Sequence, residues 1–568
     1  MSRRSQRRSS SRQVKLALVV LVSGLFAVIC LCIALFAAVG NLFNGGEGAT
    51  PETGSALRVA YSPEKEQIFT TLVDGFNAQA AETTDGERMR VEIVKLDPEA
   101  MIDTALDGSA TFQALTPDSA LWLGQLDAAW SKRAGDETAT AVGETVRYAI
   151  SPVVIATWEG LARELGWPDR QVGWQDLLVQ AQQDPNFRWS HPSTSSASGL
   201  LATLAEFYAG AGKTRGLTVE DVTAQETLDY VATLEKTVRY YGEGNEPALI
   251  QQALAEGRAF LDAFVVQEQM VTYFNTHRQQ GQERLVALYP AEGTLWEDHP
   301  LALLEAVELT PYHRQVFAAF RDYLLSPESQ QLILSHGYRP ADLYTTLDSP
   351  GSPLTAENGV DPAEPKTTLQ VPSASVIEVV RDVWWYTKRH TNVYLVVDTS
   401  GSMRGEKLAQ AQVALNVFLD QIKGDMERVG LIEFSTGVNP LVYLDELGNN
   451  RAALVSAVGQ LRAEGDTALL DGVQVAHQRL QDLGDSERIN AVVVMTDGQE
   501  NNSSTSLRRL VRELSDDSGP QVVVFCIAYG QDADMDTLRE IAEPSGGQVY
   551  RGDLETIRDL YKILSTYF

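Results

Sequence analysis

Asp398-Thr399-Ser400-Gly401-Ser402 places a carboxylate and two hydroxyls on one tight turn, directly after the apolar run Val393 to Val397. Hard oxygens grouped in this way suit a divalent cation. Magnesium takes octahedral oxygen ligation and keeps several waters, so few carboxylates, several neutral oxygens and an open position satisfy it. Two later segments supply what the turn lacks. Gly465-Asp466-Thr467-Ala468-Leu469 offers the Thr467 hydroxyl on a loop entering a helix, and the apolar run from Val492 ends in a second carboxylate, Asp497. Asp-x-Ser-x-Ser alone also fits an ordinary turn or helix cap. Thr467 and Asp497, arriving in this order at strand or loop ends, favour the metal reading. No general base or activated nucleophile accompanies the set, so binding is expected and not catalysis.

A second group of polar residues falls earlier in the chain. Ser62, Ser151, Ser195 and Ser198 each stand at a strand end or near a helix start. Amides and hydroxyls at a helix N-terminus hold anions, although serine is equally a common N-cap. Glu268 follows the apolar stretch Ala259 to Val266 and either lines a cleft or is a solvated helix residue. Other motifs carry less. Gly212-Lys213-Thr214 imitates the end of a phosphate loop, but Phe207 stands where its first glycine belongs and a helical segment precedes it. Arg551-Gly552-Asp553 is better explained by Asp553 capping a last helix. The seven histidines show no ligand spacing, which argues against zinc.

The elements that must position these residues alternate between strand and helix, which specifies an α/β fold. Leu57 to Tyr61 reads as a strand, Glu64 to Ala78 as an amphipathic helix and Val91 to Leu96 as the next strand. Further apolar segments lie at Tyr148 to Thr157 and Ala259 to Val266. Five prolines between 350 and 372 mark a linker. Ser373 then caps a helix to about Lys388, with Val376, Val379, Val380 and Val383 at helical spacing. From Val393, strands at 393–397, 429–434, 490–495 and 521–527 alternate with helical patterns, and a helix is expected at 554–566. That order predicts a doubly wound sheet, in which ligands gather at the carboxyl ends of strands, where Asp398 and Asp497 stand.

The Asp398, Ser400, Ser402, Thr467 and Asp497 set resembles the metal-ion-dependent adhesion site of von Willebrand factor type A domains. The resemblance implies magnesium, with manganese or calcium as alternatives, bound by the three hydroxyls and, directly or through water, by the two aspartates. A protein partner's carboxylate then completes the coordination shell. Residues 57–345 resemble bacterial extracellular solute-binding proteins, two-lobed receptors that close on a small molecule. The likeness is carried by Ser151-Pro152-Val153-Val154, by Trp189-Ser190-His191-Pro192-Ser193 running into Ser198-Gly199-Leu200-Leu201, by Tyr289-Pro290 with Asp298-His299-Pro300, and by Ser326 to Pro340.

The ends and the charge bound the setting. Residues 1–15 hold five arginines and Lys15 with no acid, and Leu16 to Val39 carries no charge. About 20 apolar residues cross a bilayer, and the basic flank stays cytoplasmic. The expected organisation is a basic cytoplasmic tail (1–15), a transmembrane helix (16–39), a linker (40–56), a solute-binding-like domain (57–345), a Pro-rich linker (346–372) and a type A domain with a leading helix (373–568). Removing the tail's six positive charges from the net −30 leaves −36, which disfavours binding to nucleic acid. Cys526 is the one cysteine beyond the span, so no disulfide within the external part is expected. Together these features describe a single-pass membrane receptor, not an enzyme, with most of the chain extracellular or periplasmic and a protein partner at its metal. The alternative is a tethered solute-binding component of a transport or sensory system.

Overall fold

β1 (Leu57–Tyr61), β2 (Val91–Lys95), β3 (Ala114–Thr116) and β4 (Val142–Arg147) lie in the sheet of a first lobe. The computed structural model describes residues 56–552 except 137, 185, 240–245, 343, 423, 498, 517–518 and 531–532. The expected tail, membrane span, first linker up to residue 55 and terminal helix, with Asp553, lie outside the described residues. Among those described, no helix is long and apolar enough to cross a membrane.

Past Tyr148 the chain crosses into a second lobe and forms β5 (Ala149–Trp158), β6 (Trp189–Ser190), β7 (Ala263–Gln267), β8 (Leu285–Leu288) and β9 (Trp296–Glu297). It returns through Asp298 and His299 to β10 (Pro300–Leu304), and finishes on β11 (Arg339–Pro340) beside β5. The first sheet is therefore ordered β2-β1-β3-β10-β4, and the second β11-β5-β7-β6 with β8 and β9 also on β5. The two lobes exchange strands, so the crossings at Tyr148 and at Asp298-His299 lie between them. The helix Glu66–Ala78 buries Ile68, Phe69, Leu72, Val73 and Phe76 against the first sheet, as its helical periodicity requires.

The C-terminal sheet comprises β12 (Thr391–Asp398), β13 (Arg428–Phe434), β14 (Val438–Glu446), β15 (Ile489–Thr496), β16 (Val522–Tyr529) and β17 (Val549–Gly552). Its order is β14-β13-β12-β15-β16-β17, parallel except for β14, which runs antiparallel to β13. Every residue of β12, β15 and β16 is buried, because helices cover both faces of a parallel sheet. β14 and β17 are additions to the strands expected from sequence. β14 is an edge strand with polar, partly exposed residues and Pro440, so it lacks the apolar run that announces a central strand.

Two expectations change between the domains. Residues 346–372 are docked on the second lobe: Thr294 N donates to Thr367 O (3.0 Å), Leu369 N to Thr294 O (2.9 Å) and Ala287 N to Gly359 O (2.8 Å). Leu354, Val360 and Leu369 are buried. Proline forbids a regular ladder but not isolated backbone pairing with an exposed edge. The following helix, Ala374–Thr387, packs on the solute-binding side, with Val376, Ile377, Val380 and Trp384 in the core of that side. Ser373 sits at its N-cap, but its hydroxyl makes no capping bond and lies 3.0 Å from that of Ser375.

Candidate functional sites

The Asp398 turn follows the last residue of β12, and Asp497 follows β15, the adjacent parallel strand. Backbone bonds fasten the turn to the loop bearing Thr467: Gly401 N donates to Gly465 O (3.0 Å) and Glu464 N to Thr399 O (2.8 Å). Gly465 has φ +84°, and a Cβ there would lie 2.3 Å from the Thr436 hydroxyl, so the close approach needs glycine. Thr467 N donates to Asn501 Oδ1 (2.9 Å), which ties the second loop to the third.

Hydrogen bonds join the side chains into one group. Ser400 N donates to Asp398 Oδ1 (2.7 Å), and the Thr496 hydroxyl donates to Asp398 Oδ2. Ser400 Oγ lies 2.9 Å from Ser402 Oγ, which donates to Asp497 Oδ1 (2.7 Å). Asp398, Ser400, Thr467 and Asp497 are buried, whereas Ser402 is exposed and opens the group to solvent. Lys407, on the first turn of the helix Glu406–Gln421, pairs with the other Asp497 oxygen. Burial raises the Asp398 carboxyl, and the neighbouring Asp497 charge adds to that rise against the bonds from Thr496 and Ser400. Two crowded carboxylates beside three hydroxyls form an all-oxygen donor set that fits a hard divalent cation. Lys407 and Thr496 are partners the sequence reading did not assign; the lysine's place on the helix leading from the turn was the available signal.

The residues singled out in the first half separate. Ser62 is buried and its hydroxyl has no hydrogen-bond partner. Ser198 is buried and bonds Glu246, while Ser151 Oγ donates to Gln269 Oε1 (2.5 Å). Ser195 lies elsewhere, 2.6 Å from the Ser193 hydroxyl, in a 520 Å³ cavity that Arg381 and Trp384 also line. Glu268 is neither solvated nor free to line a cleft. Arg339 donates to its two oxygens at 2.7 and 2.8 Å, and the Tyr289 hydroxyl also bonds it.

Acidic residues that the sequence reading passed over surround the lobe crossing. Glu64, Asp118, Glu246, Glu297 and His299 are buried, with Lys65. Lys65 Nζ lies 3.2 Å from Asp118 Oδ1 and donates to Pro117 O (2.8 Å). His299 N donates to Asp118 O (2.8 Å), and Asp298 Oδ1 accepts from Ala120 N (2.7 Å), so both residues hold the crossing against the first lobe. Neither oxygen of Glu297 and neither ring nitrogen of His299 has a hydrogen-bond partner. Burial, then Asp118, pushes Glu64 and Glu297 well above the usual carboxylate range, and burial pushes Glu246 up to about 7. Burial and then Lys65 hold His299 well below its ordinary value. This charge set opposes the anion that the serines suggested.

Comparisons with known proteins agree with the two folds. Residues 57–339 match the bacterial extracellular solute-binding protein family, and residues 392–562 match the von Willebrand factor type A domain. The chain therefore joins a solute-binding domain to a von Willebrand factor type A domain. Inter-alpha-trypsin inhibitor heavy chain H4 of Sus scrofa is 27% identical over 165 residues, which cover 28% of this chain and 18% of that protein. The uncharacterized protein sll0103 of Synechocystis is 27% identical over 179 residues, covering 31% of this chain and 41% of its own length. Among solved structures, a von Willebrand factor type A protein from Catenulispora acidiphila is 25% identical, covering 32% of this chain and 43% of that one, with a TM-score of 0.28. Iron-bound HitA from Pseudomonas aeruginosa is 16% identical, covering 58% and 99%, with a TM-score of 0.39.

Proposed function

We propose that this chain is a membrane-anchored, outward-facing binding protein whose type A domain docks a protein partner through magnesium. Its solute-binding domain captures a small solute between its lobes. The observation that carries the docking reading is the linked group at the ends of β12 and β15, in which Ser402 joins Ser400 to Asp497 at 2.9 and 2.7 Å. Asp398, Ser400, Ser402, Thr467 and Asp497 would hold the cation. When bound, the metal supplies a positive centre for a partner's carboxylate. The residues themselves organise that centre: Ser400 N and Thr496 aim the Asp398 oxygens, and exposed Ser402 leaves an approach from solvent. Binding without turnover is the reading these residues support.

The test is affinity capture from cell-surface extract with the full chain, with and without magnesium. Capture is expected to require magnesium and to be lost in Asp398→Ala; capture indifferent to both chelation and the substitution would refute docking through the metal. A second reading, a tethered component that delivers a solute to a permease or signalling partner, is favoured by the polar groups without partners at the lobe crossing.

A further inference from the structure

The lobe crossing carries a donor set of a different kind from the Asp398 turn. One carboxylate oxygen each from Asp118 and Glu297 and one ring nitrogen of His299 lie within 4.8 Å of one another, and all three residues are buried. Metal–ligand bonds of about 2.1 Å put opposite ligands of one ion about 4.2 Å apart, so a small closure suffices to bring these atoms onto one centre. Glu297 and His299 reach inward from the chain as it passes from β9 to β10, and Asp118 follows β3 of the first lobe. His299 has φ +31°, a conformation that non-glycine residues hold at a cost and that clusters at functional sites.

A buried polar group without a partner costs free energy, and here a carboxylate and an imidazole both lack one. An anion would meet Glu64, Asp118, Glu246 and Glu297 against the single ammonium of Lys65. An organic ammonium could donate both to the carboxylates and to the accepting nitrogen of a neutral imidazole, so it is the competing ligand to be separated from a metal ion. Two carboxylates with one imidazole suit first-row transition ions, whereas magnesium and calcium prefer oxygen alone. We propose that the cleft of the solute-binding domain takes a divalent transition-metal ion, held by Asp118, Glu297 and His299. The proposal rests on the reading of this domain as a solute receptor and specifies the class of solute.

The test uses the full chain, stripped of metal and held in excess magnesium so that the Asp398 centre is saturated. Cobalt(II) is titrated while visible absorption is followed, and zinc is then used to displace it. Wild type is expected to develop visible bands at one equivalent and to lose them to zinc. Glu297→Gln, His299→Gln and Asp118→Asn each weaken cobalt binding at least ten-fold, with folding checked by circular dichroism, whereas Asp398→Ala leaves it within two-fold. Absence of bands in wild type, or binding unchanged in all three cleft variants, overturns the proposal, and the wild-type spectrum decides even where a variant fails to fold. Parallel thermal shifts separate the two readings. Stabilisation by spermidine or sulfate without any by cobalt overturns the metal and leaves solute capture standing; no shift with any of them removes both.

Discussion

At the Asp398 turn every carboxylate is held by the protein itself, whereas at the lobe crossing Glu297 and His299 are buried with no hydrogen-bond partner. The first site is built from three neighbouring loops at one end of a single sheet. The second is assembled where the chain passes between two sheets. A frame of short local bonds organises the first before any ligand arrives, and the second carries an unmet demand that only a ligand or a change of charge removes. The seam between the domains lies at the opposite end of β12 from the Asp398 turn, about 23 Å away at the rise of a parallel strand. There Lys388 and Glu427, both fully buried, pair at 3.1 Å, and Glu427 also accepts from Thr391 N (2.6 Å).

The largest effect is expected at that seam, which sets whether the two sites belong to one body. Glu427→Ala removes the buried carboxylate that both Lys388 and Thr391 bond at the seam and should cost about 3–5 kcal/mol in denaturant unfolding. A cost below about 1 kcal/mol would mean that the domains are only loosely joined. Next, Asp398→Ala should lower magnesium-dependent partner capture by at least ten-fold while thermal unfolding of the solute-binding side stays unchanged. A parallel loss at both sites would break the contrast drawn between them.

A smaller effect concerns the unpartnered carboxylate. In metal-free protein at neutral pH, Glu297→Gln should raise stability by about 1 kcal/mol, because burial holds the Glu297 carboxyl well above its usual range and folding must load it with a proton that an amide does not need. Asp497→Asn should lower it, since the Lys407 pair is lost. If both substitutions destabilise equally, the two sites do not differ in the way described.

The smallest effect is a pH slope. Burial and then Glu235 push the Glu206 carboxyl well above its usual range, so the folded protein holds that proton more tightly than the unfolded chain. Its stabilising contribution is complete below the ordinary carboxylate range and is lost as pH rises through the raised value. Melting temperature should therefore fall as pH climbs from about 5 upward, and Glu206→Gln should flatten the slope. Glu235 accepts from Trp384 Nε1 at 2.7 Å, so this slope also reports on the helix that joins the domains. That helix reaches the other lobe as well, where Arg381 donates to Glu99 (2.7 Å) and Gln125 (3.2 Å).

The sequence by itself determined the parts whose signals are local. Asp398, Ser400 and Ser402 share one turn, and the apolar runs of β12, β15 and β16 announce a buried parallel sheet because both faces are covered. Thr467 and Asp497 were legible from loop and strand ends, since a doubly wound sheet brings such ends together. Tertiary structure alone decided the rest. Glu268 looked free until Arg339, more than 70 positions later in the chain, paired with it. The segment 346–372 read as a linker because its composition reports backbone propensity and not what its peptide groups dock against. Asp118 and His299 met only because the chain crosses twice between lobes, and no periodicity records a contact made over so long a separation. Local geometry is written in neighbouring residues; the balance of buried charge is set by which distant residues the fold brings together.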